Sequence, residues 1–535
     1  MNILLISPFR GALFAMVGVR MQPVGLCYIG SALRDAGHEV RIDAMEGGDD
    51  LPDFDGADLV GISCNTVQYL GGLRIAKLAT EAGKKVVMGG PHPTSSAADV
   101  LATGFVDYIV RGEGEVTVVE LLQALNQGRP ADLHKVAGLS WVDRTSGLIV
   151  HNPSRPFIED LDSVSNPMRE VNWIDGDQVL RGVETDFPIT TTRGCPFKCK
   201  FCDVKLITGN KFRRRSVGAV LDEVEQLVRD VNPYKIIFTD DLINFDKQRL
   251  LDMAAEAERR KVGAEYWVMG RADLLVANPE TADAMGRMGV STMFLGIESP
   301  HRHVLEAYGK GKKASAETST RAVQLLRDNG VETWGAFMLG DLSETMDDMR
   351  ATIEFARDLN PETAQFTVLT PYPGTELWEE VRGRIVSRNW DLFDCMHSVI
   401  RSDHASPAEI NELCRNAYLR FYLRPRRLFQ KKLRKQHGSR PDLKTVINIV
   451  KGMKNLFGDQ SKICYETSPL EGAIDRYADP LPLVDGIPEG LGASQAAGAS
   501  AAEMPVRARP IPGHEGSDPG PSGFIESSAS QGGNP

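Results

Sequence analysis

Three thiols fall within one short stretch, Arg193-Gly194-Cys195-Pro196-Phe197-Lys198-Cys199-Lys200-Phe201-Cys202, at the spacing C-x3-C-x2-C. Such spacing lets a single loop wrap three thiolates around one soft metal centre, and thiolates suit zinc and iron–sulfur clusters. An iron–sulfur cubane takes four cysteines, and a structural zinc site also closes with four ligands. One coordination position is therefore unaccounted for. Either a distant ligand fills it, or the open position is the function. No fourth Cys or His stands nearby at ligand spacing, which weakens the zinc reading. A purely structural role is weaker still, because thiols in a polar loop are reactive rather than inert.

The cysteines follow an apolar run, Phe187 to Thr192, that reads as a strand. Five more candidate strands come after it: Lys235–Thr239, Tyr266–Met269, Thr292–Ile297, Thr333–Leu339 and Ala364–Leu369. Amphipathic helices separate them. One carries Val217, Val220, Leu221, Val224 and Leu227 on a single face, with Ser216 as its N-cap. With Phe201 directly before the third cysteine, the loop resembles the radical S-adenosylmethionine superfamily signature, C-x3-C-x-aromatic-C. Six β/α units match that family's partial barrel, in which chemistry belongs at the carboxyl ends of the strands.

The resemblance implies that Cys195, Cys199 and Cys202 hold three irons of a 4Fe–4S cluster. The fourth iron would be chelated by S-adenosylmethionine, whose reductive cleavage yields a 5′-deoxyadenosyl radical. It also assigns roles at the other strand ends. Asp240 and Asp241, after the second strand, match the position that holds the amino group of S-adenosylmethionine. Arg271, after the third, faces the methionine carboxylate or the substrate. Glu298 and Ser299, after the fourth, contact ribose and methionine, and Gly340, after the fifth, lets adenine pack on backbone. Each position also has a plainer reading: the aspartates as helix caps, Arg271 as a surface ion pair, Gly340 as a strand terminus. The triplet Arg213-Arg214-Arg215 could steer an anionic substrate, although a solvated basic turn accounts for it better.

Residues 1–150 alternate strands and helices, which implies a doubly wound parallel sheet. The strands read as Ile3–Ile6, Val40–Asp43, Leu59–Ser63, Lys85–Met88 and Tyr108–Val110. Ligands bind such sheets at the carboxyl ends, where Ser7, Ser63, Gly89, Gly90, Gly112 and Glu113 collect. The ordered fragments Pro23 to Leu26, Ala36 to Val40, Gly89-Gly90-Pro91-His92 and Arg111-Gly112-Glu113-Gly114-Glu115 resemble the cobalamin-binding domain found ahead of many radical S-adenosylmethionine barrels. Glycines there let backbone approach a bulky corrin. The Asp-x-His-x-x-Gly string that ligates cobalt from below is absent from the sequence, so cobalamin is expected without a histidine lower ligand. His92, at a strand end, serves either a ligand or a turn.

The fold expected is therefore α/β: a Rossmann-like doubly wound sheet (1–150), a linker (151–186), a partial (β/α)6 TIM-type barrel (187–375), a helical region (376–484) and a disordered tail (485–535) rich in Gly, Pro, Ser and Ala. The basic segment 424–440 could rest on an anionic membrane. Cys395, Cys414 and Cys464 read as isolated buried thiols.

At 535 residues, with 42% hydrophobic and 25% charged residues, the composition is that of a soluble globular protein. The net charge of −11 argues against nonspecific nucleic-acid binding. The start of the chain reads as a strand rather than a signal peptide, and eight cysteines without a disulfide pattern suit the cytoplasm. Together the resemblances imply a cobalamin-dependent radical enzyme that methylates an unactivated carbon in a natural-product, tetrapyrrole or lipid pathway, served by a flavodoxin or ferredoxin. The alternatives are a cobalamin-linked oxidative ring cyclisation of a tetrapyrrole and, from another class, a binding protein holding cobalamin and zinc.

Overall fold

The computed structural model describes residues 1–9, 21–46, 51–128, 130–143, 145–175, 178–180, 186–387 and 389–424. Two parallel sheets organise them. The first contains β1 (Asn2–Ser7), β2 (Glu39–Met45), β3 (Leu59–Ser63), β4 (Lys85–Gly89), β5 (Tyr108–Val110), β6 (Leu139–Asp143), β7 (Leu148–His151), β8 (Asn172–Asp175) and β9 (Gln178–Leu180). Their order across the sheet is β7-β6-β5-β4-β3-β1-β2-β8-β9. The central order 5-4-3-1-2 is all parallel. It reverses direction of winding between β1 and β3, the switch point at which such sheets open a crevice. Buried β1 residues Leu4 and Ile6 face one helical layer, and Ile3 and Leu5 the other.

The segment 151–186 does more than connect. It runs back across the molecule and lays β8 beside β2. Pro153, Pro156 and Pro167 keep most of it irregular, and the short strand beyond them, Asn172–Asp175, has too little alternation to be read from sequence.

The second sheet holds β10 (Asp186–Ile189), β13 (Lys235–Phe238), β14 (Tyr266–Gly270), β15 (Val290–Glu298), β16 (Glu332–Leu339) and β17 (Thr363–Val368), all parallel and in that order. It is the expected six-unit barrel. The expected strand Phe187–Thr192 divides in two: β10 ends at Ile189, and β11 (Thr192–Arg193) pairs instead with β12 (Arg213–Arg214) in a small antiparallel hairpin. The core between sheet and helices contains Tyr266, Phe337 and Phe366, all fully buried, each worth about 1.5–3 kcal/mol by area. Side chains set the helix starts. Ser216 accepts from the Ala219 amide, and Thr345 and Ser406 form capping boxes with Asp348 and Glu409.

Helices Glu376–Val381 and Pro407–Tyr422 pack beyond β17. Arg424 donates to the Arg357 carbonyl and to Asn360. Residues 425–535, which include the remainder of the basic segment, Cys464 and the tail, lie outside the described residues. No helix among the described residues is long and apolar enough to cross a membrane.

Candidate functional site

The carboxyl edges of the two sheets face one cavity of about 450 Å³. From the first sheet it is lined by Ser63, Gly89, Gly90, Gly112 and Glu113 at the strand ends. Deeper in, Leu5, Ile29, Leu59, Val87 and Val118 form an apolar slot. From the barrel come Thr190, Arg193, Asp203, Thr239 and Asp241. Gly90 has φ +94°, and a Cβ there would meet the Cys64 carbonyl oxygen at 2.7 Å, so the turn requires glycine. Ser7 is buried at the end of β1.

Arg193, Gly194 and Cys195 lead from β11 into the cysteine loop. A Cβ on Gly194 (φ +88°) would lie 2.3 Å from the Lys211 carbonyl oxygen, and the Cys195 amide donates to Gly209. On its other side the Lys200 amide donates to the Tyr308 carbonyl, and Phe201 meets the Tyr308 ring edge-on at 5.5 Å. The loop is thus held by backbone on both flanks. Burial pushes the Cys195 thiol up to about 11 and raises Cys202 as well. Uncompensated thiolates would be costly there, which suits a cationic metal centre. Among the described residues no group of three His, Cys, Asp or Glu side chains already stands close enough to hold a metal ion. The donor chemistry fits iron or zinc: three thiols in one loop, with the Arg271 guanidinium 3.9 Å from Cys199 Sγ.

The expected strand-end residues divide into those that face the site and those that hold it together. Asp241 faces the cavity. Burial, with Asp240 and Asp203 nearby, pushes its carboxyl up to about 7. Asp240 does a different job from the one expected: it is fully buried and accepts from the Thr191 and Thr192 amides and the Thr191 hydroxyl. It fixes the chain just before the cysteine loop and has no free acceptor for an ammonium group. Arg271 is buried, not a surface ion pair. It pairs with Asp273, donates to the Lys310 carbonyl and lies 3.8 Å from the Phe197 ring centroid.

Glu298 has φ +61°, left-handed for a residue with a Cβ, at a register shift in β15. Such strain collects at functional positions. Its Oε1 takes Lys310 Nζ at 2.8 Å, while Oε2 is buried without a partner among the described residues. The Ser299 hydroxyl instead accepts from the His301 amide, which commits it to the turn. Gly340 (φ +94°) donates its amide to Glu344. Burial pushes the Glu344 carboxyl up to about 8, and its Oε1 is also without a partner among the described residues, as is the buried Tyr308 hydroxyl. These unfilled polar atoms at the barrel edge suit a small polar ligand such as S-adenosylmethionine.

Two other readings change. His92 faces no ligand: it is buried, stacks on Tyr69 at 4.1 Å, meets Trp390 edge-on, and burial pushes it down to about 3. The arginine triplet is neither a steering patch nor a solvated turn. Arg213 pairs with Glu113, Arg214 with Asp246 and Arg215 with Glu223. Glu113 is correspondingly committed to Arg193 and Arg213. Sequence reasoning missed Lys310, Arg193 and Glu115. The acidic Gly112-Glu113-Gly114-Glu115 fragment and the arginine beside Cys195 were a charge-complementary pair that spacing alone did not join.

The Radical SAM superfamily matches residues 189–356 and the B12 binding domain residues 11–122. The chain is 33% identical over 453 residues to an uncharacterized methyltransferase of Pyrococcus horikoshii, covering 82% of this chain and 95% of that one. It is 26% identical to the anaerobic magnesium-protoporphyrin IX monomethyl ester cyclase of Rubrivivax gelatinosus, covering 79% and 78%. The fold is shared with the radical S-adenosylmethionine methyltransferase TsrM of Kitasatospora setae, solved with cobalamin and a 4Fe-4S cluster. There the TM-score is 0.63, with 16% identity over 85% of this chain and 99% of that one. The chain belongs to the radical S-adenosylmethionine superfamily, with a B12-binding domain ahead of the barrel, and is a cobalamin-dependent radical enzyme.

Proposed function

We propose that the protein is a C-methyltransferase acting on an unactivated carbon of a small molecule from a natural-product, tetrapyrrole or lipid pathway. When bound, the cluster and S-adenosylmethionine supply a radical able to take hydrogen from such a carbon, and cobalamin supplies the methyl group. The observation that carries the reading is the single cavity joining the apolar slot of the first sheet to Asp241 and Asp203 beside the cysteine loop. One volume touched by both halves lets two cofactors act on one substrate without releasing it.

Within it, Cys195, Cys199 and Cys202 would ligate the cluster. Asp241 would accept from the amino group of S-adenosylmethionine, and Lys310, held by Glu298, would offer its ammonium to the carboxylate or ribose. Gly89, Gly90, Gly112 and the slot below them would receive cobalamin. A low-potential donor such as a flavodoxin or ferredoxin would supply electrons. The methyltransferase relatives favour methylation over ring cyclisation: the hopanoid C-3 methylase of Methylococcus capsulatus is 25% identical over 414 residues.

The test is anaerobic purification and reconstitution, followed by reduction with S-adenosylmethionine present. The expected result is iron and cobalt together in the chain and 5′-deoxyadenosine in the product, abolished in Cys199→Ala. One equivalent of zinc without iron, or undiminished 5′-deoxyadenosine from Cys199→Ala, would refute the assignment. Metabolite extracts from a strain lacking the protein, supplied with methyl-labelled S-adenosylmethionine and the enzyme, then separate the chemistries. Label in the product supports methylation; a product without it supports cyclisation.

A further inference from the structure

The hairpin that launches the cysteine loop contains a local conflict. Arg193 of β11 and Arg213 of β12 are directly opposite in register. Directly opposed residues of an antiparallel pair project to the same face with their Cβ atoms about 5 Å apart, and like charges placed so repel. Both arginines are nearly buried, at 9% and 3% exposure, where water screens little of that repulsion. Neither β11 nor β12 supplies an acid.

The compensation comes from the other sheet. Glu113, in the loop after β5, accepts from Arg193 at 3.2 Å and Arg213 at 2.8 Å, and its second oxygen takes the Ile158 amide. Glu115, at the start of the helix Glu115–Asn126, accepts from the other Arg193 terminal nitrogen at 2.6 Å. Tyr28 lies under the Arg193 guanidinium, 5.0 Å from ring centroid to carbon. The four charges sum to zero. Burial acts to lower the Arg193 pKa, yet Glu115 and Glu113 raise it overall. Arg213 also donates to the Thr208 and Ile158 carbonyls, so the strand carrying Gly209 and Lys211 is tied into the same cluster. Those are the residues that grip Gly194 and Cys195.

We propose that Glu113 and Glu115 are positioning residues: they make the hairpin at the base of the cysteine loop stable only when the first domain is docked against it. Buried, directional charge pairs set registry better than an apolar patch, because a slip leaves a charge unpaired. The loop thereby takes its final position only in a molecule whose cobalamin-binding edge is in place, which couples the two halves of the cavity. This coupling role rests on the proposed cluster function of the loop, whereas the dependence of the hairpin on Glu113 does not.

Amide hydrogen exchange of the full-length chain tests it. Glu113→Gln should speed exchange across 192–195 and 208–214 by about tenfold or more, while β15 keeps its wild-type rates, because the opening is local. Glu115→Gln, which removes one contact, should give a smaller acceleration of the same segments. The double variant Glu113→Gln with Arg213→Gln removes the opposed charge and should restore most of the hairpin protection. Wild-type exchange in both single variants overturns the proposal, and so does uniform acceleration that the double variant fails to relieve. In protein reconstituted with full iron and cobalamin, the electron paramagnetic resonance lines of the reduced cluster should broaden in Glu113→Gln. Unchanged lines overturn the coupling. Because exchange is read without iron, a chain that binds only zinc refutes the proposed function and leaves the clamp to stand or fall on exchange alone.

Discussion

The first sheet ends its strands in glycine and small hydroxyls above an apolar slot of Leu5, Ile29, Leu59, Val87 and Val118. The barrel ends its strands in charges: Asp240, Asp241, Arg271, Glu298 with Lys310, and Glu344, buried or nearly so. Both edges occupy the same topological position, and both face ligands. They differ in what they leave unfinished. The slot leaves space, and space without polar groups selects bulk and apolarity. The barrel edge leaves buried polar atoms without partners, Glu298 Oε2, Glu344 Oε1 and the Tyr308 hydroxyl among them. Such atoms select a compact polar ligand whose donors and acceptors complete them. A corrin with its nucleotide tail suits the first edge, and a zwitterion with a ribose suits the second.

The contrast breaks most sharply at Lys310. Its ammonium is the partner of a buried, left-handed Glu298. Lys310→Met leaves that carboxylate unpaired, and removing one member of a buried pair costs about 3–5 kcal/mol. Chemical denaturation should register a loss of that size, while Lys310→Met combined with Glu298→Gln should be milder. A double variant no more stable than the single would show that the pair does not hold this edge together. An equivalent intrusion at the other edge should leave stability alone. Gly25 lines the cavity, and a Cβ there meets nothing within 4 Å. Gly25→Trp places an indole in the entrance and should weaken cobalamin binding about a hundredfold, or ~2.8 kcal/mol, with iron content unchanged. Normal cobalamin retention would move the corrin away from this slot.

The same contrast explains what the sequence could say. Strand positions were legible because burial alternates or saturates: Leu59–Ser63 and Tyr108–Val110 are strands over those same residues. The cysteine loop was legible because its spacing is local. Gly90 and Gly340 were legible as backbone needs, and both are left-handed. Charges were not. Asp240 and Asp241 are neighbours in sequence, yet one braces Thr191 and Thr192 while the other faces the cavity. Which carboxylate turns inward depends on where Thr191 sits, about 50 residues earlier in the chain, and no local pattern encodes that. The Glu113–Arg193 pairing spans 80 positions for the same reason. The division of Phe187–Thr192 into β10 and β11 likewise follows from Asp240 and Arg213, not from the run itself.

His92 supplies the smallest test and separates packing from ligation at the glycine-rich edge. Its ring lies between Tyr69 and Trp390, with Nδ1 at 3.3 Å from the Thr66 hydroxyl. Burial lowers its pKa from 6.5 to about 3, so the folded chain keeps it neutral where the unfolded chain becomes protonated. The unfolded state then binds more protons, and stability falls as pH drops below 6.5 toward 3; above 6.5 the residue contributes no pH dependence. Between pH 6.5 and 5.5 the loss from this group is about 1 kcal/mol. His92→Phe preserves an aromatic ring in the stack and removes the titration. Its stability should change less over that interval than wild type by that amount, and cobalamin retention should be unaltered. If the two proteins lose stability in parallel, His92 is protonated in the folded state and is not packed as described. If cobalamin is lost instead, the histidine reaches the ligand, and the first edge is not the purely apolar and backbone-built surface that distinguishes it from the barrel.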